Sequence, residues 1–200
     1  MPSNESASIN LSQHFLIAMP GLQDSGFGRS VIYICEHNEH GAFGLCINKP
    51  LEMPLEDLFA QNRLPLKRTD LIGQRICWGG PLHPEHGFIL HKKHFEDQKT
   101  ETDPSYTSSL QTADGLQMTT SRDVLDALSE GYGPSHVFAA LGYSAWGSGQ
   151  LEDEIRSNSW LTVAAEHTLI FEVPFDERYD RAMLLLGVQP WALAYQAGTA

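Results

Sequence analysis

From Val31 to Asn48 the chain carries two nearly uninterrupted apolar runs, VIYICEH and AFGLCIN, around the polar, glycine-containing turn HNEHG. Such a pairing predicts a β-hairpin. Successive strand residues point to opposite faces, so a strand apolar at almost every position needs cover on both sides. The hairpin is therefore expected at the centre of a sheet with packed layers on both faces. Two-sided burial needs a chain of some size, and 200 residues suffice, because a domain of that length buries about 70% of its unfolded surface. Residues 1–200 are read as one domain that folds without a metal or disulfide staple.

The remaining segments extend this pattern. Leu16–Met19 is a short apolar run stopped by Pro20. Pro54 stands where a helix can begin, and Leu55, Leu58 and Phe59 give Leu55–Gln61 a helical stripe. Arg75–Trp78 and Gly87–His91 are strands, the first closed by Gly79-Gly80-Pro81, and the polar stretch Lys92–Tyr106 is a surface loop. Asp114-Gly115 between Ser108–Thr112 and Leu116–Thr120 marks a second hairpin. Ser121 is placed to cap a helix carrying Val124, Leu125 and Leu128, with Asp123 complementing its positive end. His136–Leu141 is a strand buried on both sides. Gly142–Gly149 is then expected to turn into a short helix with Leu151 and Ile155 inward and Glu152, Asp153 and Glu154 in its first turns. Trp160–Ala164 and Thr168–Val173 are expected strands, and Asp176–Leu186 a last helix ended by Gly187. Residues 1–9 are read as a loose start and 189–200 as a tail. Strands joined by hairpins, with about four short flanking helices set singly among them, make the class α+β with a mixed or antiparallel sheet.

Charge narrows the partners. Twenty-five acidic side chains against 13 basic ones leave a net charge of −12, which repels phosphate backbones and anionic lipid. Basic residues gather only in Arg63, Lys67, Arg68 and Arg75 and in Lys92 and Lys93. Direct nucleic-acid binding is not expected. The start of the chain has no basic region ahead of its short apolar run, no stretch is long enough to span a membrane, and Cys35, Cys46 and Cys77 each lie in an apolar run, as buried thiols do in a reducing compartment. The expected location is the cytoplasm.

The residues that can carry chemistry give weak patterns. His83, His86, His91 and His94 form two H-x-x-H pairs, but no carboxylate or Cys completes a known zinc spacing, and they are read as structural or surface histidines. Ser144 in GYSAWG follows a strand, yet the second glycine falls one residue late for a nucleophile elbow. Gly79-Gly80-Pro81 lacks the Lys and Ser/Thr of a phosphate loop, and the cysteines form no C-x-x-C. No catalytic residue, metal or cofactor is expected. The candidate binding groove is Asn48, Lys49, Trp78, Gly79, Gly80, Tyr143, Trp146 and Gln150, glycine- and aromatic-rich loops that sheet ends can bring together. Tight turn geometry is the competing account of the same residues.

Taken in order, FLIAMPGLQDSGFGRSVIYICEHNEHGAFGLCINKP (Phe15–Pro50), CWGGPL (Cys77–Leu82), GFILH (Gly87–His91), TTSRDVLDAL (Thr119–Leu128), GYSAWGSGQLEDEIRSNSWL (Gly142–Leu161) and the Phe175–Val188 segment with its LLGV end resemble the AlgH/YqgE family of bacterial proteins. The resemblance covers nearly the whole chain. It implies an α+β fold whose bifurcated sheet curls into a pseudo-barrel with helices outside. It also implies a link to regulation, since the family is named in part for a proposed role in alginate synthesis, and it brings no catalytic residues. The expected function is that of a non-enzymatic cytoplasmic regulator or interaction protein, of unassigned biochemical activity, acting through a protein partner. The alternative is a small-ligand binder or enzyme using the loops near Trp78–Gly80 and Tyr143–Gln150.

Overall fold

A computed structural model of the chain describes residues 10–22, 26–92 and 106–187. The expected loose start at 1–9, most of the 92–106 loop with Lys93 and His94, and the 189–200 tail lie outside these residues.

Ten strands are described: β1 (His14–Ala18), β2 (Val31–Asn38), β3 (Gly41–Cys46), β4 (Pro50–Pro54), β5 (Arg75–Trp78), β6 (Leu82–Lys92), β7 (Ser109–Gln111), β8 (Leu116–Thr119), β9 (Val137–Gly147) and β10 (Trp160–Ala164). Five α-helices join them: α1 (Leu55–Gln61), α2 (Arg122–Ser129), α3 (Gln150–Arg156), α4 (His167–Phe171) and α5 (Arg178–Leu185), with one 3-10 turn at Thr69–Leu71. The main sheet runs β10-β1-β2-β3-β9-β6-β8-β7. The class is α+β with a largely antiparallel, curled sheet, and the hairpin β2–β3 sits inside it as its two-sided apolarity requires.

The sheet forks at β9. Its first half pairs antiparallel with β6, from His91↔Val137 to Gly87↔Leu141, and parallel with β5 through Cys77↔Ala140 and Trp78↔Leu141. Its last residues pair with β3 instead, from Gly44↔Ser144 to Gly41↔Gly147. Gly79 sits at the branch: its N–H donates to the Leu141 carbonyl at 2.8 Å and its own carbonyl accepts the Cys46 N–H at 2.8 Å. A Cβ on Gly79 would lie 2.2 Å from the Gly142 carbonyl oxygen, so only glycine fits there.

Alternation along the strands feeds two cores. Phe15, Ile17, Val31, Tyr33, Leu45 and Ile47 face the cluster that α4 and α5 cover. Leu16, Ala18, Ile32, Ile34 and Cys46 face the opposite cluster, completed by Trp146, Trp160 and Leu151 of α3. Helices α1 and α2 pack a third cluster against Ile76, Ile89, Val137 and Ala139.

Four expectations change. Gly142–Gly147 is not a turn: β9 continues through it, and the chain reverses only at Ser148-Gly149. Thr168–Val173 is not a strand. It holds α4, because the adjacent Leu169 and Ile170 both bury into one core, whereas a strand would send one of them outward. Pro50–Pro54, where the sequence marks only a possible helix start at Pro54, is the strand β4, paired with β5. Ser121 is the N-cap residue of α2 but makes no capping bond; its hydroxyl donates to Asp123 Oδ1, and Asp123 accepts the Val124 N–H at 2.9 Å. Among the described residues no helix is long and apolar enough to cross a membrane.

Candidate functional site

The end of β9, the helix α3 and the start of β10 build one pocket. Gly149, at φ +76°, takes the left-handed turn that folds α3 back over the strand, and Gln150 Oε1 accepts the Gly147 N–H at 3.0 Å. Gln150 and Glu154 are four apart on α3 and so share a face. Leu151 anchors the helix in the core below.

That face meets two buried indoles. Trp146 Nε1–H and Trp160 Nε1–H both donate to Glu154 Oε2, at 2.9 and 2.7 Å, and Gln150 Nε2 donates to Oε1 at 2.9 Å. The indoles cross edge to face, centroids 6.1 Å apart, and Phe27 lies edge-on to Trp160 at 5.6 Å. These groups, with Leu22, Pro81, Leu82 and Ser144, line a pocket of about 440 Å³. Its volume is in the range of small-molecule sites, and its chemistry is apolar walls around one fixed carboxylate.

The residues picked from sequence scatter. Trp146 and Gln150 line this pocket, and Trp78 stands behind it, 5.5 Å from Phe27. Tyr143 packs on the other side of β9 with Phe43 and Phe88. Asn48 is a clasp, accepting the Val31 N–H and donating to the Arg29 carbonyl. Lys49 donates to the Gly26 carbonyl and lies 5.4 Å from the Trp78 ring. Gly79 and Gly80 lie hard against β9, where a Cβ on Gly80 would come within 2.1 Å of Tyr143 backbone.

None of these groups is arranged as a nucleophile. The Ser144 hydroxyl is buried and donates to the Gly79 carbonyl at 3.4 Å, so no base activates it. Cys35, Cys46 and Cys77 are free and buried, and burial pushes each thiol above its usual pKa, against thiolate formation. His37 is held on both ring nitrogens: Nδ1 accepts the Leu11 N–H at 3.0 Å, which leaves Nε2–H to donate to Glu152 at 3.0 Å. Asp114 accepts from Tyr33 Oη at 2.8 Å, from His167 Nε2 at 3.0 Å and from Thr112, tying the β7–β8 turn to β2 and α4. His91, half of one H-x-x-H pair, is buried and bonded to Thr119. His83 and His86 sit on β6 rather than before it, and with Glu85 they place ligand atoms within 4.8 Å of one another, all three side chains exposed. That trio is the one grouping among the described residues that can chelate a metal ion.

A profile of the AlgH-like family matches residues 15–191. The chain belongs to the AlgH-like family. It is 53% identical over 200 residues to a UPF0301 protein of Acidovorax sp. (strain JS42), covering both chains in full, and 54% identical over 196 residues to one of Verminephrobacter eiseniae, covering 98% of each. The solution structure of the AlgH protein from Pseudomonas aeruginosa aligns with a TM-score of 0.73 at 40% identity, over 98% of this chain and 99% of that one. A crystal structure from Corynebacterium diphtheriae, at 22% identity and TM-score 0.66 over 92% and 88% of the two chains, shares the fold.

In this AlgH-like chain the pocket residues that sequence reasoning passed over are Glu154, Trp160 and Phe27. Glu154 was absorbed into a run of helix-start charges. Its spacing of four from Gln150 and three from Leu151 was the available signal that it sits at the edge of the buried face. Phe27 arrives through a loop, and nothing local marked it.

Proposed function

We propose that this is a non-enzymatic, cytoplasmic binding protein whose site is the Trp146–Glu154–Trp160 pocket, taking a small ligand with an apolar body and an organic ammonium group. The observation that supports the reading is the double indole bond to one carboxylate oxygen. It fixes the carboxylate at the N–H edges of two buried indoles in an apolar-walled pocket, where low polarity strengthens charge pairing with a cation. A carboxylate offers about four acceptor positions, and the three N–H groups here leave one for the ligand. Any regulatory role runs through a protein partner rather than through nucleic acid, in keeping with a net charge of −12.

The test is titration of intrinsic tryptophan fluorescence, with calorimetry alongside, using n-butylammonium and tetramethylammonium against butyrate and n-butanol. Saturable quenching by the ammonium compounds, weakened about tenfold in Glu154→Gln, is expected, since loss of one charge contact is worth about 1.4 kcal/mol or more. No saturable signal from any of the four up to about 10 mM, beyond the weak edge of specific affinity, would sink the proposal.

A further inference from the structure

A second cleft has the opposite polarity. We propose that the cleft of about 120 Å³ between α4, α5 and the start of β9 binds a small oxyanion, with Arg178 and Arg75 as its two cationic contacts.

Arg178 is 5% exposed. Its Nε donates to the Val173 carbonyl at 2.8 Å and its Nη1 to the Ile47 carbonyl, while its guanidinium lies 4.1 Å from the Phe175 ring centroid and 5.7 Å from that of Phe138. Every one of these partners is neutral. No carboxylate among the described residues pairs with it, and its Nη2 makes no hydrogen bond there. Burial lowers its pKa to about 10, which still leaves the group charged at neutral pH. Placing an unpaired cation inside a protein costs several kcal/mol, and two carbonyls with two ring faces offset only part of that. A cation kept in this way, with donor capacity to spare, is set up to receive an anion.

The rest of the cleft agrees. Arg75 lines it too, as does Gln74, and no acidic residue does, in a chain where acids outnumber bases 25 to 13. Arg75 is tied to Glu52 at 2.9 Å, but the Glu52 side chain is 99% exposed, so this surface pair is weak and yields to a better-placed anion. Phe138, Phe171 and Ile170 supply apolar walls that strengthen charge pairing. The volume matches about four waters, enough for phosphate or a short carboxylate.

The test uses the full-length protein at low ionic strength, with sodium phosphate, acetate and benzoate compared with chloride at equal ionic strength, by thermal shift and calorimetry. A saturable rise in Tm with phosphate or with a carboxylate, absent with chloride, is expected, and which of them acts identifies the anion. Arg75→Gln lies at the surface and leaves the core untouched; it should weaken binding about tenfold, as loss of one charged hydrogen bond does. Arg178→Lys, checked for native circular dichroism, should abolish the response, and Glu52→Gln should tighten it by freeing Arg75. A response no larger than that of chloride, or one unchanged in Arg75→Gln, would overturn the site and leave Arg178 a structural bolt from α5 to the Val173 and Ile47 carbonyls. Neither result bears on the tryptophan pocket, which lies on the other core and takes the opposite charge.

Discussion

Asp114 shows how one side chain can serve both a turn and the whole fold. Asp-Gly announces a hairpin turn in the sequence, and the turn is there. The carboxylate does more: it receives Tyr33, His167 and Thr112 side chains together with the Leu116 N–H. Burial alone would raise its pKa, but the hydrogen bonds from Thr112, His167, Tyr33 and Leu116 outweigh it and hold the carboxyl below its usual value. Asp114→Asn would turn an amide N–H toward donors, and a loss of about 1–3 kcal/mol in urea denaturation at pH 7 is expected. The sign with pH follows from the lowered folded value. Ionised Asp114 stabilises the fold above the ordinary carboxyl pKa of about 3.9, and that contribution fades as pH falls through the lower folded pKa. The gap between wild type and Asp114→Asn should therefore close in acid, and a gap of equal size at both ends of the titration would remove the carboxylate from this role. His167 could not be foreseen as its partner, because that pairing depends on α4, which the sequence pattern had marked as a strand.

At the level of elements, the fork in the sheet depends on the turn after β5. There the Gly79 and Gly80 backbone touches β9 backbone with no room for a Cβ. Gly79→Ala forces the two strands apart, and a loss of more than about 3 kcal/mol, or failure to fold, is expected from denaturant titration. Gly21→Ala is the control: nothing lies within 4 Å of the added carbon, so it should stay within about 1 kcal/mol of wild type. Equal behaviour of the two variants would refute the close packing. Elements whose pattern is set by their own residues could be read from sequence: the β2–β3 hairpin, the bounds of α1 and β10, the β7–β8 turn. Those decided by tertiary contact could not. Glycine and serine at Gly142–Gly149 look like a turn throughout, yet β3 and β6 supply the ladder partners that carry β9 on to Gly147. The run Thr168–Ile170, β-branched at both ends, looks like a strand, yet the core offers it one face only. For the site, Trp78, Trp146 and Gln150 could be picked out, while Trp160, Phe27 and Arg178 gain their roles from long-range packing.

Across the whole molecule, the sheet divides the apolar residues into cores on opposite faces, and the three thiols sample both. Cys35 and Cys77 belong to the cluster under α4 and α5, and Cys46 to the one under α3. The two cores share strands: β2 sends Tyr33 one way and Ile34 the other, so neither face can open without disturbing the ladder that holds its opposite. Such sharing makes for one cooperative unit. Thiol labelling reads this directly, because a reagent needs thiolate and access, and burial denies both. With an aromatic disulfide reagent at pH 8, the native protein should react slowly and in a single phase, at a rate that falls when stabilising salt is added. Denaturant should release all three thiols at once. If Cys46 alone reacts early, with a Cys46→Ser variant lacking that phase, the α3 face opens independently, and the ligand pocket built on it would be a locally mobile lid instead of part of a rigid frame. The cooperative outcome fits the pocket better: a carboxylate held by two buried indoles keeps its geometry only while the strand carrying Trp146 stays paired with β3.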